Sequence, residues 1–276
     1  MTDAHRRAAV AERAARAGGA VARQAFRGEL AVETKADKND LVTESDRDAQ
    51  RQVVSTIRGE FPNDAVVGEE DAVPLGTPGE EVEILSEVPT TGDAWVVDPI
   101  DGTANFARGH RTWATAVSAV TDGDIVAAAT YLPTTEDLYA AGAETGTRNG
   151  NALAVSDRGD PETFAAASVG RFERGGGAGL GAIAGATVDL LGDFRRFGSM
   201  QSTLAFVAAG ELDAAFSTYT PDPWDSLAGI HLVRRAGGTV TDLEGEPWTP
   251  EREGIVASNG EAHDAVCEVA RAAASR

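Results

Sequence analysis

Residues 95–106 read WVVDPIDGTANF, an apolar run that leads directly into two carboxylates and a Gly-Thr turn. Val96 and Val97 favour a buried strand, and Pro99 cannot donate to a sheet ladder, so we expect the strand to end near Asp98. Its carboxylates would then lie at the carboxyl end of a strand, where open α/β sheets bind ligands. Because carboxylate oxygens are the hard ligands that Mg²⁺ prefers, the stretch predicts a metal site.

The turn that follows predicts a phosphate site beside the metal. Gly102 lets the backbone approach a phosphate, whose oxygens can accept the N–H groups of Gly102, Thr103, Ala104 and Asn105. Taken alone, the stretch has a simpler interpretation, an Asp-Pro turn whose second Asp caps a short helix.

Three further segments place acidic residues at the ends of predicted elements. Residues 66–71, VVGEED, read as a strand that ends in carboxylates, or simply as a solvated strand end. Residues 40–46, DLVTESD, lead into a helix that Thr43 or Ser45 can cap. Residues 223–229, PWDSLAG, begin a helix with Asp225 in its first turn, arginines in its last turn and glycines at its end.

In this order the four segments resemble the inositol monophosphatase family of Mg²⁺-dependent, lithium-sensitive phosphomonoesterases. The motif D-P-I-D-G-T-x-N-F carries most of the resemblance, which extends from about Lys35 to Asp242 and includes the W-D-x-x-A-G helix with its trailing A-G-G. It implies an α/β (α+β) fold, a layered α-β-α-β-α sandwich of the sugar phosphatase type. It also implies a homodimer and, among subfamilies, the archaeal type of inositol monophosphatase and fructose-1,6-bisphosphatase.

The resemblance further implies the roles of individual residues. One Mg²⁺ would be held by Glu69, Asp98 and the carbonyl of Ile100, and a second by Asp98, Asp101 and Asp225. Glu69 would also help to bind a third ion. Asp46 and Thr103 would orient and deprotonate the attacking water, with Lys35 and Glu70 in support. The two or three ions would activate this water and neutralise charge on the leaving oxygen.

The substrate is less closely defined by the sequence. Gly198, Ser199 and Met200 match a turn that lines the substrate pocket in relatives, but Thr218 replaces a glutamate that binds sugar hydroxyls in inositol-specific members. Four arginines can bind a second phosphate bidentately, or are solvated surface residues: Arg171, Arg174, Arg195 and Arg196. Inositol 1-phosphate and fructose 1,6-bisphosphate are the expected esters. A 3'-phosphonucleotide phosphatase and a noncatalytic, metal-dependent regulatory protein are the alternatives.

Composition limits the partners. The 276 residues include 44 acidic and 24 basic ones, a formal charge of −20, and the only lysines are Lys35 and Lys38. Because this charge repels a nucleic-acid backbone, we expect no nucleic-acid partner. The excess of acid over lysine is typical of proteins adapted to concentrated salt. Residues 69–93 hold eight acidic residues and no Lys or Arg, which suggests an acidic insertion or a segment that gates metal entry.

Targeting signals are not found in the sequence. Residues 1–27 lack the continuous apolar core of a signal peptide, and no apolar run reaches the 18 residues that span a membrane. A single cysteine, Cys267, excludes an internal disulfide. We therefore expect a cytoplasmic protein without a membrane partner.

Apolar periodicity predicts the remaining elements. We expect a hairpin over 30–43, helices over 4–27, 45–59, 178–191, 199–210, 225–236 and 260–274, and strands near 65–68, 94–98, 113–121, 124–131, 163–169, 213–217, 239–242 and 254–258. Residues 1–145 would form an N-terminal α+β subdomain with most of the metal ligands, and residues 146–276 a C-terminal α/β subdomain that completes the site.

A glycine-rich stretch and the histidines are not expected to form a nucleotide site or a metal site. Gly179, Gly181 and Ala184 fit the loose G-x-G-x-x-A pattern of dinucleotide-binding turns, but a flexible loop before a helix is the favoured interpretation. The four histidines lack metal-ligand spacing, and His231 is expected to be a packed side chain of the Asp225 helix.

Overall fold

The computed structural model describes residues 3–28, 32–34, 41–70, 73–74, 81–170 and 177–274. Its helices are α1 Asp3–Ala25, α2 Glu44–Arg58, α3 Thr103–Ala107, α4 Gly177–Leu190, α5 Met200–Ala208, α6 Pro223–Arg235 and α7 His263–Ala274. Its strands are β1 Val32–Thr34, β2 Leu41–Thr43, β3 Ala65–Gly68, β4 Val73–Pro74, β5 Glu81–Val82, β6 Asp93–Asp101, β7 Ala114–Thr121, β8 Asp124–Leu132, β9 Asp137–Ala141, β10 Gly146–Arg148, β11 Asn151–Ala152, β12 Ala165–Ser168, β13 Asp193–Arg195, β14 Ala214–Ser217, β15 Thr239–Thr241 and β16 Ile255–Ser258.

Two large mixed sheets organise these elements. The first has seven strands in the order β11-β10-β9-β8-β7-β6-β3, in which β3 and β6 are parallel and the other pairs antiparallel. The second has five strands in the order β13-β12-β14-β16-β15, with β12 parallel to both of its neighbours. The first sheet therefore extends to Ala152, and the second lies entirely in the later part of the chain.

Helices cover both faces of both sheets. One core joins α1 and α2 to the seven-stranded sheet through Val10, Val53 and Trp95. A second core places α5 and α6 between the two sheets, and a third packs α4 and α7 on the outer face of the five-stranded sheet. The layers thus alternate α-β-α-β-α, which confirms the predicted sandwich. Such double coverage explains why β6 and β7 are buried along almost their whole length.

Strand β6 does not end near Asp98 as predicted, because it continues to Asp101. The register with β7 shifts between Asp98 and Asp101, a bulge at which Pro99 is not required to donate to the ladder. The carbonyl of Pro99 instead accepts a hydrogen bond of 2.7 Å from the hydroxyl of Thr115. Asp98 and Asp101 therefore lie on either side of this irregularity in the ladder.

Most other predicted elements are confirmed within a few residues. Strands β1 and β2 pair as the predicted antiparallel hairpin, although its turn lies outside the described residues. The glycines of the possible dinucleotide turn, Gly179 and Gly181, lie inside α4, so they do not form a phosphate-binding turn. In the acidic segment 69–93, β4 and β5 form a small antiparallel pair, and residues 71–72 and 75–80 lie outside the described part. Across the described chain, none of the helices combines the length and apolar character needed to cross a membrane.

Candidate active site

Asp98 is a buried carboxylate near the carboxyl end of strand β6. Its side chain is 1% exposed, and within the described part of the chain neither carboxylate oxygen has a hydrogen-bond partner. Burial raises the pKa of Asp98 well above its ordinary value, and the charges of Glu69, Asp101, Asp225 and Asp46 raise it further. An unpaired buried carboxylate is costly, so these oxygens fit a site for a bound cation.

Two other carboxylates converge on Asp98 from different elements. Asp101 follows the bulge in β6, and Asp225 lies in the first turn of α6. The three residues offer oxygen atoms that all lie within 4.8 Å of one another. Such an all-oxygen set is suited to a hard divalent ion such as Mg²⁺, so the acidic cluster could hold a metal ion.

Asp101 also holds the start of helix α5. Its carboxylate accepts hydrogen bonds from the N–H groups of Met200 at 3.1 Å and Gln201 at 2.7 Å, and from the hydroxyl of Ser199. Burial raises the pKa of Asp101, while these three donors act in the opposite direction. The carboxylate therefore connects the acidic cluster to the turn over residues 198–200 that was predicted to line the substrate pocket.

Gln201 connects Asp101 to the helix that carries Asp225, and sequence reasoning missed it. The fully buried side-chain amide donates to the carbonyl of Trp224 at 2.6 Å and accepts from the N–H of Gly229 at 2.8 Å. A Cβ at Gly229 would lie 2.5 Å from the Cβ of Leu204, so glycine is needed for α5 and α6 to approach this closely. Gln201 therefore fixes the two helices that position these two carboxylates.

A cavity of about 450 Å³ opens beside the cluster. Twelve of the predicted site residues line it, namely Glu69, Asp98, Ile100, Asp101, Gly102, Thr103, Ala104, Asn105, Gly198, Ser199, Met200 and Asp225. Asp46, Glu70 and Thr218 are not among its lining residues, and Lys35 lies outside the described part of the chain. Most of the predicted set is thus brought to one place from β6, α3, α5, α6 and the end of β3.

Asp46 contacts the cavity through Thr103. The buried Asp46 carboxylate, in the first turn of α2, accepts a hydrogen bond of 3.3 Å from the Thr103 hydroxyl. The same hydroxyl lies 3.0 Å from the carbonyl of Ile100 and shares its proton between the two acceptors. This arrangement leaves a hydroxyl lone pair available to a ligand in the cavity.

Glu70 is held from behind by Gln50, another residue that sequence reasoning missed. Gln50 is fully buried on α2, and its amide donates to the carbonyl of Glu70 at 2.8 Å and accepts from the N–H of Glu70 at 3.2 Å. This pair of hydrogen bonds fixes the chain immediately after β3, where Glu69 lines the cavity. An isolated glutamine in a helix gives no sequence signal for such a role.

Asn105 joins two turns of the cavity wall. Its side-chain amide donates to the carbonyls of Thr112 and Phe197, both at 2.7 Å, and its backbone N–H donates to Gly102. These donors therefore already have acceptors in the protein. The backbone N–H of Asn105, which was expected to bind a phosphate oxygen, is among them. Gly102 and Gly198 both have positive φ, and a Cβ on Gly102 would lie 3.0 Å from the carbonyl of Gly198.

The remaining lining residues are Arg108, Gly170, Arg196 and Tyr219. Of the four arginines considered for a second phosphate, Arg196 lines the cavity and Arg195 forms an ion pair with Asp193. Arg171 and Arg174 lie outside the described residues. Arg108 and Tyr219 were not predicted, because neither belongs to a motif.

The layered fold and the acidic cluster beside a polar cavity define a metal-dependent phosphatase. The chain belongs to the inositol monophosphatase family, whose model matches residues 3–275. Members of this family are Mg²⁺-dependent hydrolases of phosphoric monoesters, including sugar and polyol phosphates, and the chain is such an enzyme.

Individual relatives agree with this assignment. The fructose-1,6-bisphosphatase/inositol-1-monophosphatase of Thermotoga maritima is 32% identical over 236 residues, 81% of this chain and 80% of the relative. The Nus factor SuhB of Salmonella typhimurium strain LT2 is 33% identical over 78% of this chain and 76% of its own length. Among solved structures, the IMPase of Thermotoga maritima superposes with a TM-score of 0.83 at 26% identity, covering 95% of this chain and 96% of that one.

Proposed function

We propose that the chain hydrolyses small sugar or polyol phosphates, with inositol 1-phosphate and fructose 1,6-bisphosphate as its principal esters. The observation that carries the proposal is Asp98, a buried carboxylate whose two oxygens have no hydrogen-bond partner among the described residues, at the edge of a cavity suited in size to one small ligand. The Thermotoga relative is named for the same two activities, which supports the choice of esters.

The acidic cluster would hold two or three Mg²⁺ ions through Glu69, Asp98, Asp101, Asp225 and the carbonyl of Ile100. When bound, such ions supply positive charge that lowers the pKa of water and stabilises negative charge on phosphate oxygens. The net charge of −20 then does not prevent the approach of an anionic ester, because the local charge at the site is set by the cations.

Asp46 and Thr103 would prepare the attacking water. The Thr103 hydroxyl is oriented by its hydrogen bonds to Asp46 and Ile100, so its remaining lone pair can accept a hydrogen bond from a water in the cavity. We propose that this contact orients the water and that Asp46 takes up its proton. Water adds its oxygen to phosphorus as the ester bond breaks, and the leaving alkoxide takes a proton from solvent, giving alcohol and phosphate. Asp46 then releases its proton to solvent. Glu70 would support the site from outside the cavity, and Lys35 would belong to the same supporting set.

The cavity wall supports a substrate with more than one polar group. Arg196 provides a guanidinium that can bind a second phosphate, as fructose 1,6-bisphosphate requires. Thr218, where a glutamate is expected for strict inositol specificity, does not line the cavity. These features favour a dual-specificity phosphatase over a strict inositol monophosphatase.

We also propose the setting of the enzyme. The acidic surface would suit concentrated salt, the location would be cytoplasmic, and the working form would be a homodimer. Residues 1–145 and 146–276 would act as two subdomains, the first contributing Glu69, Asp98 and Asp101 and the second Asp225.

A phosphate-release panel tests the function. The substrates are inositol 1-phosphate, fructose 1,6-bisphosphate, 3'-phosphoadenosine 5'-phosphate and glycerol phosphate, each with Mg²⁺ in molar KCl, with chelator, and with lithium. We expect release from the first two esters, inhibition by lithium and no release in excess chelator. Preference for the nucleotide would instead indicate a 3'-phosphonucleotide phosphatase. No release from any ester would favour a regulatory role, as the name of the SuhB relatives suggests.

A further inference from the structure

We propose that Tyr219 is a specificity-determining residue, whose phenol contacts the hydroxyl groups of the substrate in the cavity. This rests on the proposed function, in which the ester carries a polyol or sugar. Tyr219 lines the same cavity as the acidic cluster, so a ligand that fills the space between them touches both. The phenol combines an apolar ring face with a group that both donates and accepts a hydrogen bond, as a hydroxylated ring requires.

The position of the Tyr219 ring depends on a glycine in the facing strand end. A Cβ on Gly170 would lie 1.5 Å from the phenol oxygen and 2.1 Å from Cζ, so no other residue leaves room for the ring as it stands. Gly170 also has a φ of +96°, a conformation that side chains disfavour. The phenol thus lies directly against the backbone at the carboxyl end of β12.

The backbone of Tyr219 is fixed as well. The hydroxyl of Ser217 donates to the carbonyl of Tyr219 at 3.0 Å and accepts from its N–H at 3.3 Å. On the other side, the guanidinium of Arg196 donates to the carbonyl of Gly170 at 3.2 Å. Residues 170, 196, 217 and 219 are thus held by hydrogen bonds and packing before a ligand arrives. A wall that is already ordered lowers the entropic cost of binding.

Within this wall, the uncharged phenol of Tyr219 suits a hydroxyl group of the ligand, whereas the guanidinium of Arg196 suits a second phosphate. The phosphate that is hydrolysed would bind at the acidic cluster, where the cations would supply its counter-charge. Tyr219 brings no formal charge, and it lines the cavity where its neighbour Thr218 does not. We therefore assign the recognition of substrate hydroxyls to the neutral phenol of Tyr219. In inositol-specific members a glutamate at the position of Thr218 was expected to do this.

Tyr219→Phe tests the hydroxyl contact, because it removes one oxygen and keeps the ring. We expect KM for inositol 1-phosphate and fructose 1,6-bisphosphate to rise about 2- to 12-fold, the loss of one neutral hydrogen bond. The KM for phenyl phosphate, which has no hydroxyl groups, and the kcat for all three esters should stay unchanged. Tyr131→Phe is the matched control, since Tyr131 packs beneath Arg16 away from the cavity and should leave every KM unchanged.

The outcomes separate this proposal from the proposed function. An equal rise of KM for phenyl phosphate, or no rise for the polyol esters, overturns the role of Tyr219 while the phosphatase activity stands. A wild-type protein that releases no phosphate from any ester overturns the proposed function itself.

A double-mutant cycle tests the seating of the ring on Gly170. Gly170→Ala should raise KM for the polyol esters at least as much as Tyr219→Ala, because the new methyl group displaces the ring. In the Tyr219→Ala background, Gly170→Ala should add little to KM, because there is no ring for the new methyl group to displace. The backbone strain of Gly170→Ala is present in both backgrounds and cancels in the cycle. Independent, additive effects would overturn the proposal.

Discussion

His231 makes the stability of the fold depend on pH in a calculable way. The side chain is 3% exposed on α6, six residues after Asp225, and its Nε2 lies 2.8 Å from the carbonyl of Gly142. A carbonyl only accepts, so Nε2 carries a proton and donates it to this hydrogen bond. Burial lowers the pKa of His231 to about 4, and the nearby charges of Arg235 and Arg234 act in the same direction.

The sign follows from proton binding in the two states. An unfolded histidine titrates near pH 6.5, so between pH 6.5 and 4 the unfolded chain binds a proton that the folded chain does not. The contribution of His231 to the free energy of unfolding is therefore complete above pH 6.5 and is lost as the pH falls to 4. The difference between these two pKa values corresponds to about 3 kcal/mol in total, of which about 2.5 kcal/mol is lost by pH 4.5.

His231→Gln isolates this contribution, because a glutamine amide can donate to Gly142 but does not titrate. Urea unfolding would be measured at pH 7.5 and pH 4.5 in molar KCl with chelator, so that neither metal binding nor surface charge dominates. Between the two pH values, the wild type should lose about 2.5 kcal/mol more than the variant. Parallel losses in the two proteins would refute the reasoning, whatever the absolute stability of the variant.

Three other perturbations test the site and the surface. Mg²⁺ at 100 times its Kd should stabilise the wild type by about 2.7 kcal/mol in thermal unfolding, and Asp98→Asn should abolish both this stabilisation and turnover. Thr103→Ala should keep the Mg²⁺ stabilisation but lower kcat about 10²- to 10⁴-fold, so the division of roles is wrong if it loses metal as Asp98→Asn does. Because 44 acidic residues face 24 basic ones, the melting temperature should rise markedly from low salt to molar KCl, and a constant value would exclude charge repulsion as a limit on stability.

Local sequence patterns predicted the elements that carry the site. The apolar run before Asp98 and the helical pattern around Asp225 are short-range signals, and a strand and a helix form there. Strand β6 continues past Pro99 because a bulge and the hydroxyl of Thr115 accommodate the proline, a long-range arrangement that propensity does not contain. Strands β9, β10 and β11 are short, and no apolar pattern had identified them.

Residues that hold the site by long-range hydrogen bonds were not predictable. Gln50 and Gln201 each bond to backbone groups more than 19 positions away, and neither lies in a motif. Tyr219 faces the cavity only because Gly170, from a different strand, leaves space for its ring. Such contacts depend on how the two sheets and the central helices come together, which periodicity along the chain does not specify.

The double engagement of Asp101 has a thermodynamic consequence. One carboxylate belongs to the cation cluster and also accepts the first N–H groups of α5, at the turn that lines the cavity. Any redistribution of its charge toward a bound cation changes the strength of those helix contacts, and any ligand that shifts the turn changes the charge left for the cation. Binding free energies coupled in this way are reciprocal, so each partner raises or lowers the affinity of the other by the same factor. The affinity of the enzyme for its substrate would therefore depend on the metal concentration, and its affinity for the metal on the substrate concentration.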